Sequence, residues 1–264
     1  MDLAAARWLA PRALRWLGGF ARGRVLHAFD RSVNLVDSRG SVLSIVDPEI
    51  GPGPFSLVLA QPFDFRGRVA EDSPVEVDAG VLTLGPLAFG WSGAEAWDPV
   101  PPWRSVTPER TPGLVEAIEE EMLVSPVKPA IAFEHPPDPA DQEALRAYAV
   151  SLAGLGPGLT PSGDDVLVGL AHAFFVRFEA EAAAGFAGII AETAARTTTL
   201  SAAWLRAAAV GEAGNLCHLL VAAAAAGDET GLRDAVRRIL ATGHTSGADA
   251  LAGFTTGLKV PWPI

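Results

Sequence analysis

Apolar residues in this chain change their period once, and that change decides what the chain can fold into. From about residue 24 to 97 they recur in short runs broken by turn residues. Val33–Val36 and Val42–Val46 flank Ser38-Arg39-Gly40. Phe55–Leu59 follows Gly51-Pro52-Gly53-Pro54, and Val75–Val77 and Val81–Leu84 flank Asp78-Ala79-Gly80. Short strands with hairpin signals and no helix between them predict an antiparallel sheet, barrel-like in its closure. A short helix is expected ahead of it, because Leu3, Ala6, Ala10, Ala13, Leu14 and Leu17 share one helical face.

Asp98 to Pro112 holds five prolines and no periodicity, so it reads as a linker. Beyond it the spacing is helical and alanine-rich, with helices expected at about 113–122, 139–153, 164–183, 200–209, 213–226, 229–241 and 248–258. Thr111-Pro112 and Asp138-Pro139 have the form of an N-cap followed by proline at the first helical position. The expectation is an α+β protein: an N-terminal β domain over 1–100, a proline-rich linker over 101–112, and a C-terminal helical domain over 113–264.

A chain of 264 residues that is 49% hydrophobic can bury a core and is not disordered as a whole. Its net charge of -11 and its lack of a basic run argue against nucleic acid as a partner. Cys217 is the only cysteine, so no intramolecular disulfide framework forms, and its apolar neighbours mark it as an inert thiol. Arg7, Pro11, Arg12 and Arg15 break up the N-terminal apolar runs, so no secretory signal is read there. The longest apolar stretch, Val166 to Val176, is too short to span a bilayer. A cytoplasmic protein without membrane contact is expected.

The stretch carrying most chemical information is Gly154-Leu155-Gly156-Pro157-Gly158-Leu159-Thr160-Pro161-Ser162-Gly163-Asp164-Asp165, which runs directly into a helix. Glycines let main chain approach a ligand closely, and N–H groups at a helix start carry the positive end of its dipole. Gly156, Gly158 and Gly163 with the hydroxyls of Thr160 and Ser162 therefore form a candidate phosphate or carboxylate site. It is not a Walker loop, which needs a lysine, nor a dinucleotide fingerprint. Ser162-x-x-Asp165 also reads as a capping box. On that spacing Asp165 engages the backbone and Asp164 stays free for ligand or metal, so Mg²⁺ through Asp164 or Asp165 is an alternative use of the pair. Gly169 leaves room between Asp165 and His172 on one helical face, and His172 itself reads as a hydrogen-bonded core histidine.

Two further clusters sit at expected helix starts. Arg196-Thr197-Thr198-Thr199-Leu200-Ser201 joins a cation able to grip an oxyanion to hydroxyls at Thr197, Thr198 and Ser201. Gly243-His244-Thr245-Ser246-Gly247-Ala248-Asp249 offers His244 as general acid or base, with Ser246 and Asp249 beside it. Each cluster also has an ordinary reading as a helix cap. If the three helix starts meet, they enclose a pocket for a small anion, with His244, Arg196 and Asp164 as the candidate catalytic groups.

The same segments, GLGPGLTPSGDD, RTTTLS and GHTSGADALAG, resemble a bacterial family long known only as a domain of unknown function. Its better-studied members are the third subunit of a heteromeric oxamate carbamoyltransferase in ureide (allantoin) catabolism. The resemblance runs from Ser32–Asp37 to the C-terminus, with Val166 replacing the aromatic residue expected after the two aspartates, a difference that bears on packing. It implies phosphorolysis of oxalurate to oxamate and carbamoyl phosphate, or the reverse, with other subunits present. The motif residues it carries over are Gly156, Gly158, Thr160, Ser162, Gly163, Asp164, Asp165, Arg196, Thr197, Ser201, His244, Ser246 and Asp249. Three functional readings remain open: a complex component that binds phosphate, carbamoyl phosphate or oxamate; a non-catalytic docking subunit; and a Mg²⁺-dependent enzyme acting on an acyl phosphate or nucleotide.

Overall fold

The computed structural model describes residues 3–19 and 22–259, and it divides into two compact units, Met1–Pro99 and Val100–Ile264. The first is a β-barrel. Strands β1 (Leu3–Leu9), β2 (Gly23–Ala28), β3 (Ser32–Asp37), β4 (Val42–Val46), β5 (Ser56–Leu59), β6 (Pro74–Asp78), β7 (Val81–Leu84), β8 (Leu87–Gly90) and β9 (Glu95–Ala96) follow in chain order. The sheet order is β5-β4-β3-β2-β6-β7-β8-β1-β9, and pairing of β1 with β5 closes eight strands into a ring. Closure leaves no open edge among those eight. Val25, Val33, Leu35, Leu43, Ile45, Leu57, Leu82 and Phe89 fill the core.

The hairpins form where the turn residues place them. Ala79 and Gly80 both have positive φ between the paired Asp78 and Val81, as a two-residue I′ turn requires. Two expectations are corrected. Leu3–Leu9 is not helical: it is β1, and the helix of this region, α1 (Pro11–Gly18), begins only at Pro11. Ala6 pairs with Leu59 of β5, and Ala4 with Phe89 of β8, so this strand seals the barrel. Pairing on both sides outweighs the alanines' helical preference. The sheet is also mixed rather than antiparallel throughout, because β1 runs parallel to β8 and β9, and β4 parallel to β5.

The second unit is helical: α2 (Thr111–Val124), α3 (Gln142–Leu152), α4 (Ser162–Arg177), α5 (Ala180–Ala191), α6 (Thr199–Ala208), α7 (Asn215–Ala226), α8 (Glu229–Leu240) and α9 (Ser246–Lys259). The proline-rich stretch is part of it. Trp103 is buried in the helical core, its indole N–H donates to the Gly211 carbonyl at 2.8 Å, and its ring stacks on His172. Three helix boundaries differ from expectation. One helix expected over 164–183 is two, broken at Phe178, whose extended backbone lets Phe174, Phe178 and Phe186 cluster edge to face; α5 then continues to Ala191. Helix α3 starts at Gln142, capped by Asp141 accepting from Ala144 N–H, while Asp138 forms the preceding turn. Helix α2 takes Thr111 as a helical residue, with Arg110 as its cap.

The helical unit is organised around α4, which is buried along almost its whole length. It crosses α9 with backbone nearly touching backbone: a Cβ on Gly169 would lie 1.9 Å from the Ala250 carbonyl, and one on Gly253 2.0 Å from that of Val166. The room expected beside Gly169 is therefore filled by α9. No described helix is long and apolar enough to cross a membrane.

Candidate functional site

The glycine-rich loop before α4 is held from below and left open above. Pro157 and Pro161 have no N–H, and Gly156 and Gly158 take φ of 109° and 101°, a region that side chains avoid. At the lower end, Leu155 N–H donates to Leu152 and Gly163 N–H to the Leu155 carbonyl. Among the described residues, the N–H groups of Gly156, Gly158, Leu159, Thr160 and Ser162 have no acceptor. Gly156 has a second reason to be glycine, since its Cβ would sit 3.1 Å from Ser162 N, over one of the open donors. Gly163 serves packing instead: a Cβ there would fall 2.0 Å from the Leu152 carbonyl.

The structure brings the three polar clusters together within the helical unit. The hydroxyl of Thr160 meets that of Ser246, at the start of α9, at 2.8 Å. From the segment before α6, Thr197 donates to Asp164 and Thr198 to the Leu159 carbonyl at 2.6 Å, while Gly154 packs against the Arg196 carbonyl. Thr198 also caps α6 by accepting from Ser201 N–H. Arg196 and His244 are both exposed, and neither side chain is bonded to another described residue.

The two aspartates exchange the roles expected of them. Asp164 is buried at 1% exposure, and its carboxylate accepts from Gly154 N–H at 2.9 Å and from Thr197. It is a fixed brace between loop and helix, not a free ligand group. Asp165 caps nothing; the capping box does not form, because Ser162 already lies inside the helix and Pro161 occupies the cap position. Instead Asp165 points toward α9, where Ser246 and Thr160 hydroxyls meet one carboxyl oxygen and the other, Oδ2, is buried without a partner. Burial pushes this carboxyl up to about 8. The Ser246 and Thr160 hydrogen bonds oppose the shift, and the charges of Asp249 and Asp164 add to it.

Among the described residues, other buried side-chain atoms also lack partners, and two of them belong to the polar clusters. Asp249 is completely buried; its Oδ1 accepts from Ala130 N–H at 2.8 Å, and its Oδ2 is unpaired. The Ser201 hydroxyl is unpaired as well. A buried polar group without a partner carries a desolvation penalty that a ligand or water can relieve. No three His, Cys, Asp or Glu among the described residues come together in a way that would hold a metal ion. His172 is a core residue, as expected: its Nε2 meets the Glu212 carbonyl at 3.1 Å, and burial pushes it down to about 4, so it is neutral. Burial likewise pushes the Cys217 thiol up to about 12, which leaves it unreactive near neutral pH.

Sequence reasoning passed over Gly154, whose N–H orients Asp164, and Ala130, whose N–H holds Asp249. Gly154 lies in the motif and its positive φ was legible in its residue type. Ala130 contributes only main chain from a segment with no helix or strand, and its sequence carries no sign of the contact.

Two family models match the chain. Residues 152–258 match the one described as oxamate carbamoyltransferase subunit AllH, and residues 4–96 match the AllH family N-terminal domain. No solved structure is matched.

Proposed function

The chain belongs to the AllH family, whose members are a subunit of oxamate carbamoyltransferase, and from that premise we propose that its helical unit binds a small phosphate- or carboxylate-bearing ligand of the carbamoyl-transfer reaction. The observation that carries this reading is the row of open N–H donors from Gly156 to Ser162 at the start of a buried sixteen-residue helix. In a chain of net charge -11, local donors of this kind are what an anion can bind to. The exposed guanidinium of Arg196, before α6, supplies a charge-assisted grip. The unpaired oxygen of Asp249 is an acceptor, which suits a ligand carrying an amide N–H₂ beside its anionic end. Oxamate and carbamoyl phosphate both have that make-up. In a complex with other subunits, stabilisation of negative charge on the transferring group is the contribution such a loop makes, and the setting is ureide (allantoin) catabolism in the cytoplasm.

The test is thermal stability of the chain, alone and with its partner subunits, in the presence of phosphate, carbamoyl phosphate or oxamate. Ligand at about 100 times its Kd adds roughly 2.7 kcal/mol of stability. Arg196→Ala should lose most of the shift. If no anion stabilises the wild type in any of these settings, with or without Mg²⁺, a non-catalytic docking subunit becomes the better reading.

A further inference from the structure

An acidic floor beneath an anion site is a contradiction that the structure has to resolve. Asp164 and Asp165 open the helix that the glycine loop leads into, Asp249 acts on Asp165 from α9, and negative charge gathered there would cancel much of what the loop's open N–H donors offer. Asp164 accepts hydrogen bonds from Gly154 N–H and Thr197, and both hold it in the helix–loop junction. Asp249 is fully buried and fixed by Ala130 N–H. Asp165 stands between them, with one oxygen on the Ser246 and Thr160 hydroxyls and the other buried and unpaired.

Resting on the anion-binding reading above, we propose that Asp165 is the proton-bearing group of this site: its carboxyl is neutral while an anion is bound, and Asp249 is the positioning residue that keeps it so. Among the described residues, the charged side chains that act on Asp165 are both acidic, Asp164 on its own helix and Asp249 from α9. The glycine loop over 154–161 has no titratable side chain, and α3 ends in Ser151-Leu152. The neighbouring segments bring Arg196 and His244, both exposed and neither bonded to Asp165. With no cation among the described residues paired to it, a carboxyl with one oxygen shut off from water and two acidic side chains beside it favours its neutral form, which is also the direction of its shift. A neutral carboxyl can donate as well as accept, so its proton is placed to bond an oxygen of the ligand. In the free site above the carboxyl's own titration point, binding takes one proton from solvent onto a carboxylate oxygen of Asp165, and no other bond changes. This moves the proton-handling role from His244 to a residue inside the loop–helix junction.

Oxamate is the probe for the test, because its carboxylate charge is constant between about pH 6 and pH 10. Its affinity is measured calorimetrically over that range in two buffers of different ionisation enthalpy, with whichever partner subunits binding requires. In the wild type, affinity should fall about tenfold for each pH unit above about 8, and proton uptake should rise from near zero to near one per oxamate. Asp165→Asn should remove the pH dependence, giving the same affinity at the two ends of the range. Asp249→Asn should move the fall to lower pH, a change that a merely structural role for Asp249 would not produce. Oxamate binding that is independent of pH and takes up no proton in the wild type overturns the proposal and leaves the anion site standing. No oxamate binding at any pH, with or without the partner subunits, overturns both.

Discussion

Asp47 in the barrel unit and Asp165 in the helical unit both hold a carboxyl oxygen away from water, and the two are treated in opposite ways. In the barrel unit, Asp47 follows β4 at 3% exposure and is fully engaged: it accepts from Glu49 N–H, Phe63 N–H and the Arg31 guanidinium, each at 2.9 Å. Burial alone would raise its pKa, but the Arg31 bond and the two main-chain N–H bonds outweigh that and hold it below the usual carboxylate range. In the helical unit, Asp165 is given two hydroxyls and two acidic neighbours, and among the described residues no cation pairs with it and one of its oxygens has no partner. The first arrangement fastens a loop. The second keeps a polar group short of partners, which costs stability and makes sense only where something else completes it. The difference teaches where to look for function: a carboxyl oxygen shut off from water is common to both, and incomplete bonding separates them.

The strongest way to break that contrast is to measure stability against pH. The unfolded carboxyl of Asp165 ionises near the ordinary 3.8 and the folded one near 8, so the folded state binds the extra proton between those values. Wild-type stability should therefore decline as pH rises from about 4 to about 8, by something on the order of 4 kcal/mol, and Asp165→Asn should flatten that decline. Chemical denaturation at a series of pH values reads it directly, and parallel curves for wild type and variant would show that Asp165 ionises normally. Next in size is Gly169→Ala. Its new Cβ has only 1.9 Å before the Ala250 carbonyl, so α4 and α9 must separate, at about 3 kcal/mol by overpacking. The same variant should weaken any anion binding, since the loop and the start of α9 ride on those helices. Asp47→Asn tests the barrel side. It should cost about 2 kcal/mol near neutral pH through the lost charge-assisted bond. The Asp47 contribution is present above the unfolded pKa and is lost as pH falls through the depressed folded one, the reverse of Asp165. Smallest is Thr198→Ala, which removes the α6 cap and the bond to the Leu159 carbonyl, for about 1 kcal/mol. Loss of cooperativity in its unfolding curve rather than a shifted midpoint would mean that Thr198 organises more than one helix end.

What could be read from sequence follows the range of the forces involved. Hairpins and most helices were legible because turn residues and 3.6-residue spacing are local. The three polar clusters were legible as candidates because glycine, hydroxyl and carboxylate side chains advertise themselves. Two things were hidden. Strand β1 has an alanine-rich composition that favours helix, and only barrel closure, between residues as far apart as Ala6 and Leu59, reverses that preference. The roles of Asp164 and Asp165 were hidden because adjacent residues on a helix point about 100° apart. Which of them meets Gly154 and which meets Ser246 is decided by how α4 is rotated against α9, and the glycines at the crossing set that rotation in three dimensions.

That crossing has a consequence for selectivity. Where two helices meet main chain to main chain, at Gly169 with Ala250 and at Gly253 with Val166, there are no side chains between them to repack. The Gly156–Ser162 loop leads into one helix and Ser246 begins the other, so under the proposed anion-binding reading the two sides of the site are held like the jaws of a gauge with a riveted joint. On that reading, a ligand too long for the site would gain nothing from flexible walls and would have to pull apart packed backbone to fit. Discrimination by length would then be built into the scaffold, ahead of any contact a particular side chain makes.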